Sequence, residues 1–161
     1  MDNNSLLIGL LLFGLFMFPI LYVLIKQNSN EKKHNKFLQK IAEEHRLKFD
    51  KTGTYGPLSL GLDTNNKKLV VVEFRGSADY DIFDLKDVKN VKITKKMLPA
   101  GYSASKKERI IYLSLDLENK YASKITGITF YDEEDEESID ADIRLNDAKI
   151  WDTLIHKNLA V

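Results

Sequence analysis

Cysteine is absent from this chain of 161 residues. That absence removes a disulfide framework, a thiolate zinc site, a cysteine nucleophile and acylation of a lipoprotein-type cysteine. Histidine is scarce, with His34, His45 and His156 far apart in sequence. His34 and His45 fall on one expected helix, eleven residues or about 16 Å apart along its axis, too far to share a metal. No Gly-x-Ser-x-Gly elbow, phosphate-binding glycine loop or His-Glu-x-x-His helix occurs. Ser103 and Ser105 lie among lysines with no base nearby. The acidic run Asp132–Glu137 has no glycine to turn a calcium loop. These absences predict a protein without catalysis, cofactor or metal.

Charge is missing from one place above all. Residues 5–25 read SLLIGLLLFGLFMFPILYVLI, 21 residues without a charge. An α-helix of that length spans about 30 Å, the thickness of a hydrocarbon core. Leu6, Leu7, Ile8, Leu10, Leu11, Leu12, Phe13, Leu15, Phe16, Phe18, Ile20, Leu21, Val23, Leu24 and Ile25 leave it no polar face. A cleaved signal peptide needs a basic start and a small-x-small site, whereas this run follows MDNNS and ends in bulky residues before Lys26. The pattern therefore predicts a transmembrane anchor over residues 1–27, with the bilayer as partner through residues 5–25. Lys26, Lys32, Lys33, Lys36 and Lys40 follow the run, whereas only Asp2 precedes it. The positive-inside rule then puts the N-terminus outside and the C-terminal part in the cytoplasm of a single-pass membrane protein.

Behind the anchor, roughly 110 residues suffice for one domain with a single core. Asn28-Ser29-Asn30 is expected to be a polar linker, and Phe37, Leu38, Ile41 and His45 recur at helical spacing over 31–48. Residues 28–57 thus read as a juxtamembrane linker with an amphipathic helix. From 58 to 161 the period becomes that of strands. Leu58, Leu60 and Leu62 alternate, Asp63-Thr64-Asn65-Asn66 turns the chain, and KKLVVVEF returns it over 67–74. Further strands are predicted with Tyr80 and Ile82 on one face, at 88–94, at 109–117, at 125–131 and at 139–145. Residues 95–108 read as a long loop. Asn146-Asp147 then caps a last helix striped by Ile150, Trp151, Leu154 and Ile155. The fold class is α+β: seven antiparallel strands in a sandwich or open barrel, closed by a C-terminal helix.

The strand count with its capping helix at 147–159 resembles the pleckstrin-homology-like (PH-like) superfold, in particular its bacterial members. So do Leu60-Gly61-Leu62-Asp63 followed by Asn66-Lys67-Lys68-Leu69-Val70, and the step Ile82-Phe83-Asp84-Leu85-Lys86-Asp87-Val88. The resemblance covers residues 58–160. It implies that Trp151 and Leu154 plug the barrel, that the domain binds or scaffolds rather than catalyses, and that the protein belongs to a bacterial inner membrane.

The zero formal net charge hides a segregated distribution. Lys86, Lys89, Lys92, Lys95, Lys96, Lys106, Lys107 and Arg109 crowd one stretch against Asp87 and Glu108. They form a candidate basic patch for anionic lipid headgroups or an acidic partner. Tyr102 is the one aromatic residue among the loop lysines, so a base-stacking nucleic-acid surface is not expected. Between 132 and 147 the sign reverses: nine acids face Arg144. The function predicted is a membrane-tethered interaction or scaffolding module, its partner a membrane or cytoplasmic protein. The alternative is a peripheral sensor of anionic lipid that uses the lysine-rich surface.

Overall fold

A computed structural model describes the backbone of residues 3–99, 108–121, 124–135 and 140–159, and their side chains except at 3–7 and 23–30. The chain divides into two compact units, Met1–Phe37 and Leu38–Val161. Helix α1 runs from Asn3 to His45. The linker expected at Asn28-Ser29-Asn30 is not a break, since each such polar residue costs a helix only a fraction of a kcal/mol. The helix ends where Arg46 turns left-handed, with φ of 54°. There the Leu47 N–H donates to the Ala42 carbonyl at 2.8 Å.

The expectation of a transmembrane anchor is corrected. Among the described residues no helix is long and apolar enough to cross a membrane. The described apolar side chains run from Ile8 to Tyr22. Leu6, Leu7, Val23, Leu24 and Ile25 lie outside the described side chains. The predicted orientation falls with the span, because lysine bias orients only a helix that crosses. Within the described stretch the apolar side chains other than the half-buried Met17 are bare, with Leu21 48% and Phe18 77% exposed.

The second unit holds seven antiparallel strands in two sheets. Sheet A is β1 (Lys51–Tyr55), β2 (Leu58–Asp63), β3 (Lys68–Arg75) and β4 (Ser77–Asp84), in that order. Sheet B is β5 (Val88–Leu98), β6 (Arg109–Asn119) and β7 (Ile125–Asp132). Strand β1 arises within residues 28–57, expected to be linker and helix, its KTGTY being short and half exposed. Strand β5 continues through Leu98 into the expected loop. Residues 100–107 of that loop lie outside the described residues.

The predicted strand at 139–145 is instead the start of helix α2 (Ala141–Asn158). Asp140 caps it, its carboxylate accepting the Asp142 N–H at 2.9 Å. The alternation of Ile139, Ala141, Ile143 and Leu145 imitates a strand. The residues that α2 buries are Arg144, Ala148, Trp151 and Ile155, at helical steps of four, three and four. Ile150, expected on the apolar stripe, is instead exposed.

The α2 helix packs on sheet B. Its Trp151 and Ile155 enter a core with Leu58, Leu60, Leu69 and Val71 of sheet A and Leu113, Leu115 and Ile128 of sheet B. Burying an aliphatic side chain of this size is worth about 1.5–3 kcal/mol. Sheet A is covered on its other face as well. Val70 and Val72 alternate with the core-facing Leu69 and Val71, yet all four are buried. Leu38 and Ile41, also buried outside the main core, come from the last turns of α1. The His45 Nε2 lies 3.1 Å from the Tyr80 hydroxyl, and Tyr80 stands opposite Val72. The last turns of α1 therefore cover the outer face of sheet A. Gly61 makes the fit possible, because a Cβ there would lie 2.9 Å from the Phe49 ring.

Candidate functional site

Among the described candidate basic residues, three lie against partners. Lys89 Nζ binds Glu118 Oε1 at 2.7 Å, and Arg109 binds Glu133 at 2.5 Å. Lys96 sits 5.0 Å from the centre of the Tyr112 ring. Lys86 is exposed on the β4–β5 turn, its N–H bound to Asp84. Lys92 and Lys95 project from β5, Lys92 standing opposite Asp116. Lys106 and Lys107, with Tyr102, Ser103 and Ser105, lie outside the described residues.

The acidic run does not join two strands, although the predicted strands at 125–131 and 139–145 imply that it does. It leads from β7 into α2, where Asp140 and Asp142 meet the positive end of a helix. Two of its members answer bases from elsewhere, Glu133 to Arg109 and Asp135 to Arg75 at 3.5 Å. The opposite charges separated along the sequence thus partly meet in space. Among the described residues no group of three or more His, Asp or Glu side chains could hold a metal ion.

Three carboxylates are held below the ordinary range by structural contacts. Burial alone would raise Asp63, but N–H donors from Asn66 and Lys48 outweigh it. They approach at 2.8 and 2.7 Å, and so tie the segment after α1 to the β2–β3 turn. Asp50 is lowered by the hydroxyl and then the N–H of Thr64. Asp84 is lowered first by the Lys68 ammonium at 2.6 Å and also by the Lys86 N–H. All three carboxylates pin turns at the end of sheet A.

A second buried network joins the layers. Trp151 Nε1 donates to the Tyr55 hydroxyl at 2.7 Å. The Arg144 guanidinium lies 5.4 Å from the Tyr55 ring centre and binds Asp147 at 3.0 Å. Burial raises the Tyr55 phenol above its usual value, against the Trp151 hydrogen bond that lowers it. Gly53 leaves room for this hydroxyl, since a Cβ there would fall on it.

The concave feature with the clearest chemistry lies between the sheets, where β3 and β4 face β7. It is a cleft of about 360 Å³. Val71, Phe83 and Ile128 are its apolar residues, and Glu73, Asp79 and Asp81 its acids. The alternation of β4 in the sequence does not say which of its faces is turned inward. Tyr80 and Ile82, predicted to share one face, pair with Val72 and Val70 on the outer face. Asp79, Asp81 and Phe83 pair with Glu73, Val71 and Leu69, and so share the inner face. Two aspartates two residues apart, in step with an apolar strand face, were the available signal.

A larger groove of about 580 Å³ lies at one end of the sandwich, lined in part by Phe74, Arg75, Asp132 and Asp135. The Arg75–Asp135 pair already satisfies part of its charge. Comparison with family models, with curated proteins and with solved structures finds no match.

Proposed function

We propose that this protein is a non-catalytic interaction module of PH-like architecture that works at a membrane surface. The observation that carries the reading is the bare apolar sleeve of α1, in which Leu11, Leu15 and Phe18 are each at least 65% exposed. Each such side chain left in water forgoes about 1.5–3 kcal/mol. An exposed apolar surface this continuous marks an interaction site, and a lipid interface satisfies it. The PH-like part of the proposal is supported by the element order, four strands in one sheet, three in the next and a closing C-terminal helix. Headgroup recognition by the basic residues of β5 and β6 has less support, because Lys89, Lys96 and Arg109 already have partners.

Flotation of the full chain with neutral and with anionic vesicles tests this reading. We expect binding to neutral vesicles that persists at high salt. Leu11→Asp with Leu15→Asp should weaken it more than tenfold, each aspartate costing about 2.5–3.5 kcal/mol in an apolar bilayer setting. A full chain that stays unbound sinks the proposal. Binding only to anionic vesicles, and lost in salt, transfers it to the lysines.

A further inference from the structure

The cleft between the sheets is bounded by two edge strands. In the order of sheet A, β4 is last, and in that of sheet B, β7 is last. An edge strand presents a row of backbone donors and acceptors, the template along which another extended chain pairs. At this seam the floor is apolar, formed by Val71, Phe83 and Ile128, of which Val71 and Ile128 are themselves buried in the core. The rim is of one sign. Glu73, Asp79 and Asp81 line it, and none of the described lining residues is basic. Two of these acids, Asp79 and Asp81, stand opposite Glu73 and Val71 on the same face of β4 as Phe83, which pairs with the core residue Leu69. Inward-pointing charge of this kind also protects an edge from apolar strands. Such an edge repels hydrophobic or acidic segments and accepts those that bring the opposite charge.

We propose that the seam is the docking groove for an extended, cationic segment of a partner protein, added as a strand along β4. Its alternate side chains would do two jobs, as the two-residue period of a strand dictates. Apolar ones would rest on Val71, Phe83 and Ile128, and lysines or arginines would meet Glu73, Asp79 and Asp81. This rests on the reading of the protein as an interaction module and names the chemistry of its partner. It is independent of what α1 does.

The test uses the full chain in lipid nanodiscs and a labelled ten-residue peptide of alternating lysine and valine. A lysine–valine peptide with its lysines clustered at one end and an alternating glutamate–valine peptide serve as controls, with binding followed by fluorescence anisotropy. The alternating cationic peptide should bind, weaken as salt is raised, and lose about tenfold or more in affinity to Asp79→Lys with Asp81→Lys. Asp79→Asn with Asp81→Asn should lose less, and this milder pair decides the matter should the charge reversal fail to fold. Equal affinity for wild type and variants overturns the site. Equal affinity for the clustered peptide overturns the strand-wise mode. Self-association of the protein that the same variants abolish, without peptide binding, overturns the proposal in favour of a second copy. Flotation separates the two readings. A chain that floats but binds no peptide loses this groove alone, and one that binds peptide but does not float loses only the membrane part.

Discussion

Sheet A and sheet B carry similar amounts of apolar residue, but they are buried in different ways. In β2 all six residues from Leu58 to Asp63 are buried, and in β3 the run Leu69 to Val72 is buried without alternation. Sheet B keeps one face polar. There Thr94 and Ser114 both donate to the Asp116 carboxylate, at 2.6 and 2.7 Å, and Tyr112 stands near Thr129. The difference teaches that an unbroken apolar strand announces a second cover, whereas strict alternation announces water on one side. For sheet A the second cover is the end of α1. For sheet B the outer polar residues satisfy one another.

The sharpest way to break this comparison is at the point where the layers meet. Trp151 is fully buried and spans from α2 to Tyr55 of sheet A. Trp151→Ala should cost about 3–5 kcal/mol in chemical unfolding. A loss below about 1 kcal/mol would mean that α2 is not part of the cooperative unit. Next in size is the cover itself. Ile41→Ala should cost about 2–4 kcal/mol, while Thr129→Val on the outer face of sheet B should stay within about 0.5 kcal/mol. Equal effects at the two positions would erase the distinction between the sheets.

The smallest effect expected is the pH-dependent one. Asp50, Asp63 and Asp84 all have lowered values when folded. A depressed carboxyl contributes its full stability above its unfolded value, near 3.9, and loses it as pH falls through the folded value. Thermal melts should therefore be level at neutral pH and fall below about pH 4. Asp63→Asn should cost about 1–3 kcal/mol at neutral pH and flatten that fall, since it weakens bonds to Lys48 and Asn66. A variant with the wild-type acid profile would show that Asp63 is not among the groups responsible.

Much of the fold was legible because the local period is strong. Strands β2, β3, β6 and β7 follow from alternating or β-branched runs between turn signals. β1 was not legible, because Lys51–Tyr55 has little apolar content and gains its place only by pairing with β2. The segment Ile139–Leu145 reads equally well at either period. A cap at Asp140 and the burial of Arg144 beside Asp147 and Tyr55 made it helical. The acidic cleft was hidden for a related reason. Both parities of β4 contain residues able to face inward, and the local pattern does not choose between them. Packing of α1 on the outer face drew Tyr80 and Ile82 there and left Asp79 and Asp81 at the seam.

By itself the sequence determined the class of the protein. It specified an uncharged apolar run, an antiparallel α+β domain, no cysteine chemistry and a segregation of opposite charges, all set by residue type and by periods of two and about four. Only the tertiary structure decided which face of each strand is inside, which lysines already hold a carboxylate, and that two sheet edges flank an acid-rimmed cleft. Those outcomes depend on contacts between residues far apart in the chain, and local period is silent about them.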